Sequence, residues 1–170
     1  MRLLSGLRVV SVRVKRDVES GKETGAADLA KMQALADKTH FGEFNFLLPT
    51  EPSQLGDFTY GDPVVSGKTA SISFRSIKRD QNHCDGTISI DTAAMQIIKI
   101  GYVPAVMPES AKQGSGTITF GEVLPGIWKM VRDESHYSGQ KFFIKGSADI
   151  VITQSHYRKF ATQAAAEKAI

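Results

Sequence analysis

The sequence predicts an α+β, β-rich domain built on a single curved antiparallel sheet, half-barrel-like, with a short helix near residues 26–38 and a C-terminal helix or tail. Three observations carry this. Apolar and polar residues alternate in 85–91, a short turn follows at Thr92-Ala93-Ala94-Met95, and 96–102 runs back, which is the pattern of a hairpin with one buried face. The alternation returns at 116–123, 126–133, 141–145 and 148–154, so hairpin follows hairpin as in a meander. Between 26 and 38 the period changes, with Leu29, Met32, Gln33, Leu35 and Ala36 at three- and four-residue steps, as on an amphipathic helix.

Taken in order, residues 7–14 read as a first strand, with Val10, Val12 and Val14 on one face and Ser11 and Arg13 on the other. Glu19-Ser20-Gly21-Lys22 marks a turn, and Thr24 is the candidate cap of the helix that follows. Phe41, Phe44, Phe46, Leu47 and Leu48 form an aromatic and apolar stretch closed by Pro49 and Pro52. A short strand is expected at 56–60, a turn at Gly61-Asp62-Pro63, and a clear strand at 69–74, where Ala70, Ile72 and Phe74 oppose Thr69, Ser71 and Ser73. Residues 78–85 read as a polar loop and 104–114 as a connection carrying two prolines. Leu124-Pro125-Gly126 presets a turn, and Ser138-Gly139 reads as the next one. Residues 161–169 are alanine-rich and helix-prone. The expected organisation is one domain over 1–160 and a helical tail over 161–170.

Composition narrows the function classes. The chain has 170 residues, 41% hydrophobic and 23% charged, enough for one sizeable core. Its net charge of +3 falls short of a nucleic-acid-binding footprint. Part of that excess sits in Arg2, Arg8, Arg13, Lys15 and Arg16, and no aromatic residues interleave with them for base stacking, so no nucleic-acid partner is expected. No apolar run approaches the ~18 residues of a membrane-spanning helix, so the chain is not expected to span a membrane. Residues 1–18 are punctuated by charge and do not read as a signal peptide. Cys84 is the single cysteine, which excludes an intramolecular disulfide.

No residue set reads as a catalytic centre. His83-Cys84-Asp85 juxtaposes an imidazole and a thiol, but neighbours along a strand point to opposite faces, so these three are expected to be structural polar residues at a loop-to-strand junction. His40, His83, His136 and His156 lie far apart, with no metal-ligand spacing, so neither a metal nor another cofactor is implied. Gly114-Ser115-Gly116-Thr117 lacks the lysine and helix of a phosphate loop and reads as a hairpin lead-in. Asp91 is placed to bond the amides of its turn, and Asp133-Glu134, Asp80 and Asp85 are expected as solvated carboxylates of loops. Trp128, the sole tryptophan, shares a face with Met130.

Three stretches carry a family resemblance: DGTISIDTAAMQIIKI, ITFGEVLPGIWKM and SGQKFFIKGSADIVITQSHYRKF, the last with a closing Tyr157-Arg158-Lys159-Phe160. Over about residues 57–160 the pattern resembles the outer-membrane lipoprotein-sorting-like (LolA-like) group of exported bacterial proteins. The resemblance implies a periplasmic or otherwise extracytoplasmic location. It also implies a strongly curved sheet whose hollow receives an acyl chain or a partner's apolar segment. The function expected from it is a non-enzymatic envelope binding protein, with a lipid or an apolar protein segment as partner. The residues expected on the ligand or interface side are Trp128, Met130, Phe120, Phe142, Phe143, Ile88, Ile90, Ile98, Ile100 and Phe74.

Only about 55 residues precede the matching region, fewer than in that group. A half-barrel with fewer strands exposes an edge and an apolar face. The second expectation is therefore an assembly subunit, a homo- or hetero-oligomer whose sheet face or edge is covered by partner chains. The third, a hydrolase dependent on Cys84 or a histidine, has the least support in the residues.

Overall fold

Antiparallel pairing dominates the computed structural model, which describes residues 2–5, 8–12, 18–19, 22–23, 25–39, 47–107, 111–141 and 144–168. The chain divides into two compact units, Met1–Phe44 with Arg158–Ile170, and Asn45–Tyr157.

In the first unit, β1 (Arg2–Ser5) pairs antiparallel with β2 (Arg8–Val12), and β3 (Val18–Glu19) with β4 (Lys22–Glu23). The sequence alternation does not announce β1 or its pairing with β2, and the strand expected at 7–14 is the shorter β2; Val14 and Thr24 lie outside the described residues. The helix α1 (Ala26–Thr39) forms where the three- and four-residue period predicts it. Gly25 accepts from the amides of Asp28 and Leu29 at its start, and Asp28 sits in the first turn, where a negative charge complements the exposed amides. The helix α2 (Gln163–Glu167) is shorter than the helix-prone stretch, and Thr162 caps it by accepting from the Ala165 amide at 3.2 Å.

The second unit holds the sheet that the alternation predicts. Its strands are β5 (Phe58–Tyr60), β6 (Val64–Ser66), β7 (Thr69–Ser76), β8 (Cys84–Asp91), β9 (Gln96–Pro104), β10 (Ala111–Leu124), β11 (Ile127–Lys141) and β12 (Ile144–Thr153). Among the described residues they form one open eight-stranded antiparallel sheet in the order β12-β11-β10-β9-β8-β7-β5, with β6 also on β7. Register slips between Ser89 and Ile90, and between Thr119 and Phe120, place β-bulges in two neighbouring pairs and bend the sheet there.

Two readings need correction. The turn expected at Ser138-Gly139 does not form: β11 runs through both residues to Lys141, and Ser138 and Gly139 pair with Ser147 and Gly146. Gly114-Ser115-Gly116-Thr117 lies within β10 and not in a hairpin lead-in. In contrast, the Pro125-Gly126 turn forms as read, with Gly126 at φ +73°, a conformation costly for any residue with a Cβ.

Residues directly opposite one another in a ladder share a face, so the register sorts the side chains. One ladder runs Ile72, Ile88, Ile100, Ile118, Asp133, Ile152 across six strands. The next ladder on that face runs Tyr60, Phe74, Gly86, Tyr102, Gly116, Ser135, Ile150. The opposite face carries Ser71, Ser89, Lys99, Thr119, Arg132 and Thr153 in one ladder and Ser73, Thr87, Gly101, Thr117, Glu134 and Val151 in another. From β7 to β11 the sheet is thus one-sided, while the edge strand β12 carries the apolar Val151 on the polar face. Ile100 and Ile118 stand opposite each other at 0% exposure and anchor the apolar face, each contributing roughly 1.5–3 kcal/mol by burial.

Candidate functional site

Seven of the ten residues singled out from sequence share this apolar face. Phe74, Ile88, Ile90 and Ile100 belong to it through their ladders. Phe120 pairs with Met130, and Trp128 with Glu122, which puts all three aromatic and sulfur side chains on the same face two residues apart. Ile98 is the extra residue of the β8–β9 bulge, between Ile97 opposite Ile90 and Lys99 opposite Ser89. Phe142 and Phe143 lie outside the described residues.

Over the central strands exposure on this face rises from one end toward the other, while Tyr60 and Ile150 at the sheet margins are exposed and Met130, opposite Phe120, is buried. At the end where β7 runs into β8 and β9 finishes, Phe58, Phe74, Ser76, Cys84, Tyr102 and Pro104 are buried. The segment 47–57 is fastened at that end: the Leu47 amide donates to Asn82 O at 2.6 Å, and Tyr60 Oη to Pro49 O at 2.6 Å. At the other end, by the turns Thr92–Met95 and Pro125–Gly126, Ile90, Ile97, Phe120, Leu124, Ile127 and Trp128 are partly exposed, and Met95 is exposed. Ile100, Ile118 and Cys84 present no surface in the folded chain, so as packed they cannot touch an added ligand.

Two glycines let rings lie flat on the face. A Cβ at Gly116 would collide with the Tyr102 ring, standing 2.6 Å from Cε1, and one at Gly114 would meet Tyr137 Cε1 at 2.7 Å. Tyr102 thereby reaches across β10 to within 3.5 Å of Asp133 Oδ1. Asp133 is only 6% exposed, which corrects its expected place in a solvated loop: the long strand β11 carries it between Ile118 and Ile152. Burial, then the charge of Asp133, push the Tyr102 hydroxyl well above the ordinary tyrosine range, and the same two causes raise Tyr137. Both phenols are therefore neutral at physiological pH.

The most concentrated polar network lies at the buried end. His83 is 3% exposed, with Nδ1 2.6 Å from Asp80 Oδ1 and Nε2 3.5 Å from Asp57 Oδ2. Its ring packs at 5.8 Å from that of Phe58. Asp57 also pairs with Lys78 at 2.8 Å, and that hydrogen bond outweighs desolvation to hold its carboxyl below the usual range. Asp80 is lowered chiefly by His83 and by the Asn82 amide. Asp85, on β8 and not in the loop, accepts from Arg79 Nη1 at 2.8 and 2.7 Å and from the Ser76 amide at 2.9 Å. Arg79 then donates to Ala105 O at 2.8 Å, which ties the 77–83 loop to the end of β9.

This network joins the 47–57 segment, the 77–83 loop and the end of β9. The Cys84 thiol is fully buried, and burial, then the charge of Asp85, push it up to about 12. Ser76 Oγ donates to Lys78 O at 2.6 Å. At the far turn, Asp91 accepts from the Ala93 and Ala94 amides at 2.8 and 2.9 Å, the register-setting role read from sequence. Among the described residues no group of three His, Cys, Asp or Glu side chains is arranged to hold a metal ion, and no helix is long and apolar enough to cross a membrane.

Sequence reading missed three features of this site. The Tyr102–Asp133 approach depends on inter-strand register, which no local signal encodes. The His83 fastening joins residues from three loops. β6, Val64–Ser66, is too short for its alternation to stand out between Pro63 and Gly67. Comparison with protein-family models, with curated proteins and with solved structures yields no match.

Proposed function

We propose that this chain is a non-enzymatic binding protein of the bacterial envelope that takes an acyl chain or an apolar protein segment. The observation that carries the reading is the exposure gradient on the apolar face. Ile90, Ile97, Phe120 and Trp128 share that face and keep part of their surface in solvent, next to a fully enclosed Ile100–Ile118 centre. Recognition by such a surface rests on apolar area, at ~25 cal/mol per Å² removed from water, with few polar contacts to fix orientation. The envelope location rests on the resemblance to the lipoprotein-sorting-like group.

Trp128 reports directly on this reading, since the chain has no other tryptophan. Titration of the delipidated full chain with palmitate is expected to shift Trp128 emission to shorter wavelength and to saturate, with Phe120→Ala weakening the response. Unchanged emission, together with no lipid retained in native mass spectrometry, overturns the reading.

A second reading is supported by a separate observation. On the outermost strand β12, Ile150 is 46% and Val151 52% exposed, and they point to opposite faces. Apolar side chains on both faces of an edge strand that has no outer neighbour among the described residues suit an assembly subunit.

A further inference from the structure

The two edges of the sheet are built differently. On one, β5 and β6 are three residues each and are separated by Gly61, Asp62 and Pro63, whose proline offers no amide for pairing. On the other, β12 runs ten residues from Ile144 to Thr153 with no proline, pairs with β11 along its whole length, and has no strand on its outer side among the described residues.

We propose that β12 pairs with β12 of a second copy of this chain, antiparallel about a two-fold axis, with Ser147 opposite Ser147 of the second copy. Charge selects both the occupant and the register. A two-fold axis between antiparallel strands sets one residue opposite its own copy and every other residue opposite its mirror position. With the axis at Ser147, Lys145 meets Asp149 of the second copy, Asp149 meets its Lys145, and Ile144 meets Ile150 on the apolar face. An axis at Asp149 sets two carboxylates together, and one at Lys145 two ammonium groups. Axes at Gly146 or Ala148 leave both charges opposite uncharged residues. Opposite charges directly across a strand pair stabilise it and like charges oppose it, so this strand carries its own register key. Asp149 is accessible from the outer side: it contacts His136 of β11 at 2.6 Å, yet its side chain stays 78% exposed. The inference rests on the assembly reading and is independent of ligand binding on the apolar face.

Sedimentation velocity of the full chain tests it. Wild type is expected to dimerise reversibly. Asp149→Lys and Lys145→Asp are each expected to raise the dissociation constant at least about tenfold. The double swap, Lys145→Asp with Asp149→Lys, restores the opposite pairing and is expected to recover dimerisation. Ser147→Cys is expected to form an interchain disulfide on mild oxidation, since directly opposed residues sit within disulfide reach, whereas Ser115→Cys on β10 is not. His136→Gln is expected to leave the dimer intact, which separates loss of the His136 contact from loss of the strand pair. A monomer at every concentration, or single swaps without effect, or a double swap without recovery, overturns the proposal. Palmitate binding by a monomeric wild type leaves the ligand reading standing while this one falls. Ser115, His136, Ser147 and Asp149 are exposed, and far-UV circular dichroism confirms that each variant is folded.

Discussion

Tyr102 and Gly116 stand directly opposite each other on β9 and β10, and the tyrosine ring occupies the volume that a side chain at 116 would need. Glycine weakens a strand by its flexibility and its lack of a side chain to pack, and a cross-strand aromatic ring over it compensates. Gly86, opposite both Phe74 and Tyr102, repeats the arrangement, so the ladder alternates large and absent side chains.

Gly116→Ala is therefore expected to destabilise the sheet by about 1–3 kcal/mol through overpacking. Urea unfolding followed by Trp128 emission measures this. In a Tyr102→Ala background the same change is expected to cost much less, because the two sites share one volume. Equal costs in the two backgrounds contradict the packing described.

Ile118→Ala removes three methyl-sized groups from a site with 0% exposure and is expected to cost about 2–5 kcal/mol. Thr117→Ala, on the polar face of the same strand, is expected to stay within about 0.5 kcal/mol. Urea midpoints of the two variants decide whether the two faces differ in this way.

Acid is expected to loosen the buried end. Burial works to raise the Asp85 carboxyl, but the Arg79 hydrogen bonds and the Ser76 amide outweigh it and hold it below its ordinary 3.8. A carboxyl lowered on folding stabilises the native state above the unfolded value, and that contribution is lost as pH falls through the lower folded value. Urea midpoints of wild type are thus expected to fall from about pH 5 toward pH 2, and Asp85→Asn to lower the midpoint at pH 7 and flatten the acid limb. Parallel acid limbs for the two proteins contradict a role for Asp85 in this window.

Cys84 is expected to resist iodoacetamide at pH 8 in the folded chain and to react within minutes in urea. Its thiol is enclosed and held neutral, with its pKa raised from 9.0 to about 12. Rapid native alkylation contradicts the enclosed geometry.

Much of this architecture was legible in the alternation itself. Ala70, Ile72 and Phe74, then Ile88 and Ile90, announce which side of each strand is apolar, and Trp128 with Met130 follows from a two-residue step. The turn at Pro125-Gly126 was legible because two residue types force one backbone shape. Ser138-Gly139 misled for the complementary reason: both residues favour turns, but β12 supplies a partner for each, and pairing overrode local preference. Asp133 was misplaced because neighbouring carboxylates suggest solvent, while its burial comes from Ile118 and Ile152 on strands distant in sequence. The bulges at Ser89/Ile90 and Thr119/Phe120 bring Phe120 opposite Met130 and Ile90 opposite Ile97, and nothing local announces an extra residue.

The proline-interrupted margin formed by β5 and β6 has a consequence for growth. A chain with two adhesive sides adds copies without end and becomes a fibre. With Pro63 breaking one side, a copy that docks through the other presents nothing onto which a third can extend the ribbon. Replacing Pro63 with a residue that restores an amide would remove that stop, and a finite particle would be exposed to open-ended polymerisation.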